Sequence, residues 1–193
     1  VEEDNWVAAM EWADSIGVDV TSTSLGYITY DPPFTSYTWQ DMNGNTALIT
    51  RAGDLAVGKG IVVVNSAGNE GNNTSHNTLG APADGDSIFA IGSVNSNGLR
   101  SSFSSVGPTI DGRIKPDFMA QGSNDYHASS FGNSYSFGSG TSFSCPIAAG
   151  ICALILQKNP SLTPIEVRSI LRSASSNNGS PNNQMGWGII NAL

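Results

Sequence analysis

Hydrophobic positions change their period along the chain, and the changes mark out its elements. Trp6, Met10, Ala13 and Ile16 fall three and four residues apart, which predicts a helix over residues 4–16 with Asp4 as N-cap and Gly17 as its stop. Val18 to Leu25 reads as a strand. Residues 26–42 form a long loop carrying five aromatics (Tyr27, Tyr30, Phe34, Tyr37, Trp39), a length usually kept for function. A second helix is expected from Asn45 to Val57, stopped by Gly58 and Gly60. Ile61 to Asn65 is uncharged and rich in valine, the pattern of a strand buried on both faces. A further strand is expected at Ile88 to Val94, followed by a turn-rich stretch, Ser93 to Gly112, and a short extended piece, Ile114 to Met119. Ser142 to Lys158 is an apolar helix. The last helix starts at Thr163 as N-cap, with Pro164 next and Glu166 closing a capping box. Buried strands alternating with helices imply an α/β fold, a parallel sheet sandwiched by helices.

Composition narrows the picture. The 193 residues suit one domain, 1–193, and carry 16 acidic against 8 basic side chains, a formal charge of −8. That balance argues against nucleic acid and anionic membrane surfaces as partners, since both require basic patches. Only 12% of residues are charged, about half the usual share, and Ser, Asn and Gly together exceed a third of the chain. With 39% hydrophobic residues the chain folds nonetheless. The longest apolar run, Ile147 to Leu156, is shorter than a membrane span. The two cysteines, Cys145 and Cys152, lie seven apart on one expected helix, roughly 10 Å between Cα atoms and too far to bridge. They read as small packing residues. The chain opens on Val1-Glu2-Glu3-Asp4 without an initiator Met, the mark of an excised piece or processed product.

Three motifs are excluded. Gly53 to Gly60 has the spacing of a phosphate-binding loop, but Gly60 stands where magnesium needs a hydroxyl. Gly140 to Ser144 misses the nucleophile elbow, because Ser144 replaces its second glycine. Asp84-Gly85-Asp86 is too short for a calcium loop and reads as a turn. Gly138 to Pro146 (GSGTSFSCP) is informative instead. Its glycines allow a sharp turn, and Pro146 fits the first turn of the apolar helix, which sets Ser142 at that helix's N-terminus. There a hydroxyl can act as nucleophile while its own N–H stabilises an oxyanion. An ordinary capping serine fits the same residues. Asn69, in Ala67-Gly68-Asn69-Glu70-Gly71 after the buried strand, is placed to donate to an oxyanion, although turn asparagines are common.

Together these features resemble the subtilisin-like serine proteases, the subtilases. Gly140-Thr141-Ser142 with Pro146 and Gly150 is similar to that family's nucleophile motif, and Asn69 in AGNEG to its oxyanion asparagine. Val18-Asp19-Val20 leading to Ser24-Leu25-Gly26, Lys115-Pro116-Asp117 with Ala120 and Gly122, and Met185-Gly186-Trp187-Gly188 to Asn191-Ala192 resemble three further blocks, in family order. Phe143, Ser144, Cys145, Ile147 and Gln121 depart from the usual residues and are packing variations.

The resemblance implies Ser142 and Asn69 as catalytic residues and Ser24, Leu25, Gly26, Gly68 and Thr141 as substrate-binding residues, with a peptide or protein as substrate. It also implies that the chain is the C-terminal portion of a catalytic domain, lacking N-terminal strands and helices and the family's Asp and His. His76 and His127, the two histidines present, read as polar loop residues. The chain alone is therefore expected to be inactive and to self-associate through its incomplete sheet. No cofactor is expected; calcium is frequent in the family, and no complete ligand set for it or for another metal is found here. Membership of a largely exported family implies an extracellular or cell-surface location. A catalytically degenerate module for binding or assembly is the alternative, and the aromatic loop raises a glycan-binding domain as a weaker third.

Overall fold

The computed structural model describes residues 1–191; Ala192, which ends the closing block, lies outside them. The elements are α1 (Glu2–Ser15), β1 (Val20–Thr23), a 3-10 turn (Trp39–Asp41), α2 (Leu48–Gly58), β2 (Val62–Ser66), β3 (Phe89–Val94), β4 (Phe118–Gln121), β5 (Asp125–Ala128), β6 (Tyr135–Gly138), α3 (Thr141–Lys158) and α4 (Pro164–Ala174). β1 to β4 form one sheet in sequence order, every pair parallel, with Val20 opposite Val62, Val64 opposite Phe89 and Ile91 opposite Phe118.

The valine run of β2 supplies both cores, because successive side chains of a strand leave opposite faces. Val63 joins Trp6, Met10, Ile49, Ala56 and Val57 beneath α1 and α2. Val62 and Val64 join Phe89, Phe118, Cys145, Ala148, Cys152 and Leu171 beneath α3 and α4. The result is the three-layer α/β sandwich expected from the sequence. α3 is 18 residues long with mean hydropathy 1.3, enough by length and composition to cross a membrane, which the shorter apolar run did not suggest. It packs instead along the sheet through Cys145, Ala148 and Cys152.

Several boundaries move, each for a local reason. α1 begins at Glu2 with Val1 as N-cap, so Asp4 sits in the first turn beside two other acids rather than capping. Ile16 lies past the last turn and is 55% exposed, so it leaves the apolar face. α2 begins at Leu48 rather than Asn45, because Asn43 Oδ1 accepts the backbone N–H of both Asn45 and Thr46 and holds them in a turn. β1 is four residues, starting at Val20, since the Val18 N–H returns to the Ala13 carbonyl. Of the extended piece read at Ile114 to Met119, only the end pairs as a strand, Phe118–Gln121, past Pro116, which has no N–H to give a ladder. The antiparallel hairpin of β5 and β6 was not expected at all. The capping box of α4 is as read: Thr163 N–H donates to Glu166 Oε2 at 2.8 Å and Glu166 N–H to Thr163 Oγ1 at 3.3 Å.

Candidate active site

Parallel sheets bind ligands beyond the carboxyl ends of their strands, and three segments meet there. One follows β1 (Ser24, Leu25, Gly26), one leaves β2 (Gly68, Asn69), and one opens α3 (Thr141, Ser142). These seven residues, all nominated by the sequence, line one cavity of about 340 Å³. Ser66 and Ala67 continue its wall.

The start of α3 decides what Ser142 is. Gly140 is the N-cap, with φ 155°, and Ser142 is the second helical residue, exposed and making no capping bond with its side chain. The capping-serine reading is thereby removed. Its hydroxyl and N–H stand together at the positive end of the helix, where first-turn N–H groups have no acceptor within the helix.

Pro146 lies five residues into α3, inside the helix rather than in its first turn. A proline there cannot donate to the carbonyl four residues back, which is that of Ser142. The Ser24 hydroxyl donates to that carbonyl instead, at 3.0 Å. The freed acceptor thus ties the serine's backbone to the segment following β1. One turn on, the Cys145 thiol donates to the Thr23 carbonyl at 3.3 Å and reinforces the same junction. Burial pushes the Cys145 thiol above its ordinary range despite its hydrogen bonds with the Ser22 hydroxyl and the Thr23 carbonyl, and pushes Cys152 up to about 12. Both cysteines are buried and unbridged, and neither offers a thiolate near neutral pH.

Asn69 is fixed by Thr141. Asn69 Oδ1 accepts the Thr141 N–H at 2.9 Å and the Thr141 hydroxyl at 3.1 Å. Because both partners are donors, the amide oxygen occupies that end, and Nδ2 points away with its two hydrogens unused among the described residues. A Cβ placed on Gly140 would sit 3.7 Å from Nδ2, so the amine lies against the helix start that carries Ser142. Thr141 is 1% exposed, and its hydroxyl also accepts the Gly68 N–H at 3.3 Å. Gly68 has φ 110°, and a Cβ there would come within 2.7 Å of Ser105 Oγ, so only glycine fits this turn.

The histidines are engaged elsewhere. His127, on β5, stacks on Phe143 at 4.9 Å, with Nδ1 2.9 Å from the Ala128 carbonyl and Nε2 3.3 Å from Ser136 Oγ. His76 does line the cavity, which the sequence did not suggest, and so does Glu70. The signal available was their closeness to Gly68-Asn69 in the chain. Neither imidazole bonds the Ser142 hydroxyl among the described residues. Nor, among the described residues, does any group of three His, Cys, Asp or Glu side chains gather there as a metal site. Asp84 is a brace, accepting the Gly44 N–H at 2.8 Å and the Thr50 hydroxyl at 2.7 Å.

A parallel sheet with an exposed serine at a helix N-terminus, faced by a locked carboxamide, makes this an α/β protein with a hydroxyl and hydrogen-bond donors gathered in one cavity beyond its strands. Comparison with known proteins makes that class specific. Residues 2–188 match the subtilase family, Peptidase S8, and the chain belongs to it. It is 40% identical to subtilisin DY of Bacillus licheniformis over 185 residues, 96% of this chain and 59% of that protein. It is 39% identical to subtilisin E of Bacillus subtilis (strain 168) over 188 residues, 97% of this chain and 43% of that protein. The chain thus spans between about two fifths and three fifths of these relatives. Among solved structures, the self-cleaved protease domain of PatA superposes with TM-score 0.76 and MycP1 without its propeptide with 0.75, both at 23% identity. Each covers 98% of this chain, and this chain covers 65% of each.

Proposed function

We propose that this chain is part of a longer serine endopeptidase that cleaves peptide bonds through an acyl-enzyme. The observation that carries the reading is the Thr141–Asn69–Ser142 arrangement, in which a pre-aimed amide donor and a helix-start serine share one cavity. Ser142 Oγ adds to the scissile carbonyl, and its proton passes to a base. Asn69 Nδ2 and the Ser142 N–H hold the oxyanion. The C–N bond then breaks, the amine leaves with that proton, and water releases the acyl group from Ser142. Ser24 to Gly26 pair with the substrate backbone as an added strand, and the cavity takes the side chain preceding the cleaved bond.

The base and the acid that orients it come from outside these 193 residues, because His76 and His127 are committed to other partners. The chain alone is then inactive. A fluorophosphonate probe, read by intact mass, tests this. An adduct is expected on the longer protein and on neither its Ser142→Ala variant nor the isolated chain. Labelling that survives Ser142→Ala removes the nucleophile assignment, and no labelling of the longer protein favours the degenerate-module alternative.

β1 closes one side of the sheet with nothing paired beyond it among the described residues, and Trp12 (65%), Ile16 (55%) and Leu154 (56%) are exposed. Such edges and faces recruit further strands or copies. The isolated chain is expected to scatter light as a dimer or larger species at high concentration, and a monomer there would count against it. The low charge and the abundance of Ser, Asn and Gly support an extracellular working place.

A further inference from the structure

β2 is a valine strand with one amide in it. Asn65 lies between Val63 and Ala67, which pack in the core beneath α1 and α2, and it is 0% exposed. An amide buried at such a place costs free energy unless it is hydrogen-bonded. Asn65 Nδ2 donates to the Leu25 carbonyl at 3.1 Å and to the Ser66 carbonyl at 2.8 Å. Both partners are acceptors, so only the NH2 end of the amide fits there. Asn65 Oδ1 is buried and has no partner among the described residues. The side chain is thus held by its donors alone, and one of them reaches a residue 40 positions away, in the segment after β1.

That segment needs a support. The β1–β2 ladder ends with Thr23 opposite Asn65, and Ser24, Leu25 and Gly26 run on, exposed, beside the cavity that holds Ser142. Past them Tyr27 pairs with Ala81, its N–H donating at 2.8 Å and its carbonyl accepting at 3.0 Å. Between these two anchors Asn65 Nδ2 takes the place of a backbone rung. In an extended segment, successive residues turn their N–H and C=O toward opposite edges. With the Leu25 carbonyl drawn toward β2, the backbone groups of Ser24 and Gly26 face the other edge, where a further strand can pair.

We propose that Asn65 is a positioning residue for extended peptide substrates, its amide setting Ser24 to Gly26 as the strand with which the substrate backbone pairs. The proposal rests on the protease reading above. Asn65 lies behind the cavity lining rather than in it, so it acts through Leu25. A substrate that reaches only Ser142 and the cavity makes little use of this support. One with several residues before the cleaved bond depends on it.

The test uses the longer protein and two anilides with the same residue before the cleaved bond, one a blocked single amino acid and the other extended by three more residues. The ratio of their kcat/KM values, long over short, cancels any loss of folded enzyme. It is expected to fall about tenfold in Asn65→Ala and in Asn65→Leu, the effect of one lost buried donor, through a raised KM for the long anilide. Asn65→Leu keeps the volume filled, which separates loss of the donor from a cavity in the core. An unchanged ratio in both variants, with cleavage that Ser142→Ala abolishes, overturns the role of Asn65 and leaves the protease reading standing. A fall in Asn65→Ala alone overturns it too, since packing then sets the segment. So does a wild-type enzyme that does not prefer the long anilide, because there is then no pairing to support. Cleavage of neither anilide by the longer protein, or cleavage that survives Ser142→Ala, overturns the protease reading and this role with it.

Discussion

Asn69→Ala in the longer protein is expected to lower kcat by about 10² to 10³-fold and leave KM near its wild-type value; that range was measured on subtilisin, a relative in the same family, rather than obtained from this geometry. The direction follows from this structure. Two donors from Thr141, one of them a backbone N–H, hold Asn69 Oδ1, so Nδ2 is aimed before substrate arrives. A fixed donor needs no reorganisation as charge develops on the carbonyl oxygen, and its bond is strongest to the tetrahedral oxyanion. Removing it raises the transition state more than the bound substrate, so the loss appears in kcat. The measurement is kcat and KM on a peptide amide, normalised to the sites a fluorophosphonate titrates. Unchanged kcat would sink the assignment, and a raised KM with kcat preserved would make Asn69 a substrate contact instead.

Much of this site was legible in the sequence because each of its parts rests on a short local signal. A glycine pair before Ser142 and a glycine before Asn69 mark backbone turns that other residues fill badly, as Gly68 demonstrates against Ser105. The β2 strand was legible for another reason, since an uncharged valine run has nowhere to go except between two layers. What stayed hidden depends on contacts between distant segments. Pro146 has no visible link to Ser24, yet the carbonyl it frees is the one the Ser24 hydroxyl caps, 118 residues away.

The β5–β6 hairpin was missed because its pattern is inverted. Tyr126, Tyr135 and Phe137 are each about two thirds exposed, while His127 and Ser136 face inward, so the usual apolar-inside rule finds no strand. His76 is a polar loop residue as read, and only its place in the cavity wall was not suggested. Its polar neighbours suggested solvent, whereas a flat stack on Trp39 from the aromatic loop holds it in the cavity wall.

Asp117→Ala is expected to cost about 3–5 kcal/mol, a large part of the roughly 5–15 kcal/mol that keeps a domain folded. Asp117 and Lys115 are 2% and 1% exposed, and Lys115 Nζ donates to Asp117 Oδ2 at 2.6 Å and to the Ile88 carbonyl at 2.8 Å. The Ala90 N–H donates to the same carboxylate oxygen at 2.9 Å, and Arg168 Nη2 lies 3.9 Å from its partner oxygen. One carboxylate therefore answers a lysine, an arginine and a backbone amide between β3, β4 and α4. Removing it leaves two buried cations and an unpaired N–H, the costly half of a buried ion pair. Lys115→Met together with Asp117→Ala should recover part of the loss, because the stranded ammonium is then gone. Burial alone pushes the Asp117 carboxyl up, but Lys115 and Arg168 more than reverse this and hold it below the ordinary carboxylate range. A carboxyl depressed in the folded state contributes its full stability above the unfolded value near 4 and loses it as the pH falls through the folded one. Thermal unfolding followed by circular dichroism should therefore show the wild-type chain losing stability below about pH 4, and Asp117→Asn, poorer throughout, losing less over the same range. A variant as stable as wild type at pH 7 would mean that this cluster contributes nothing net to the fold.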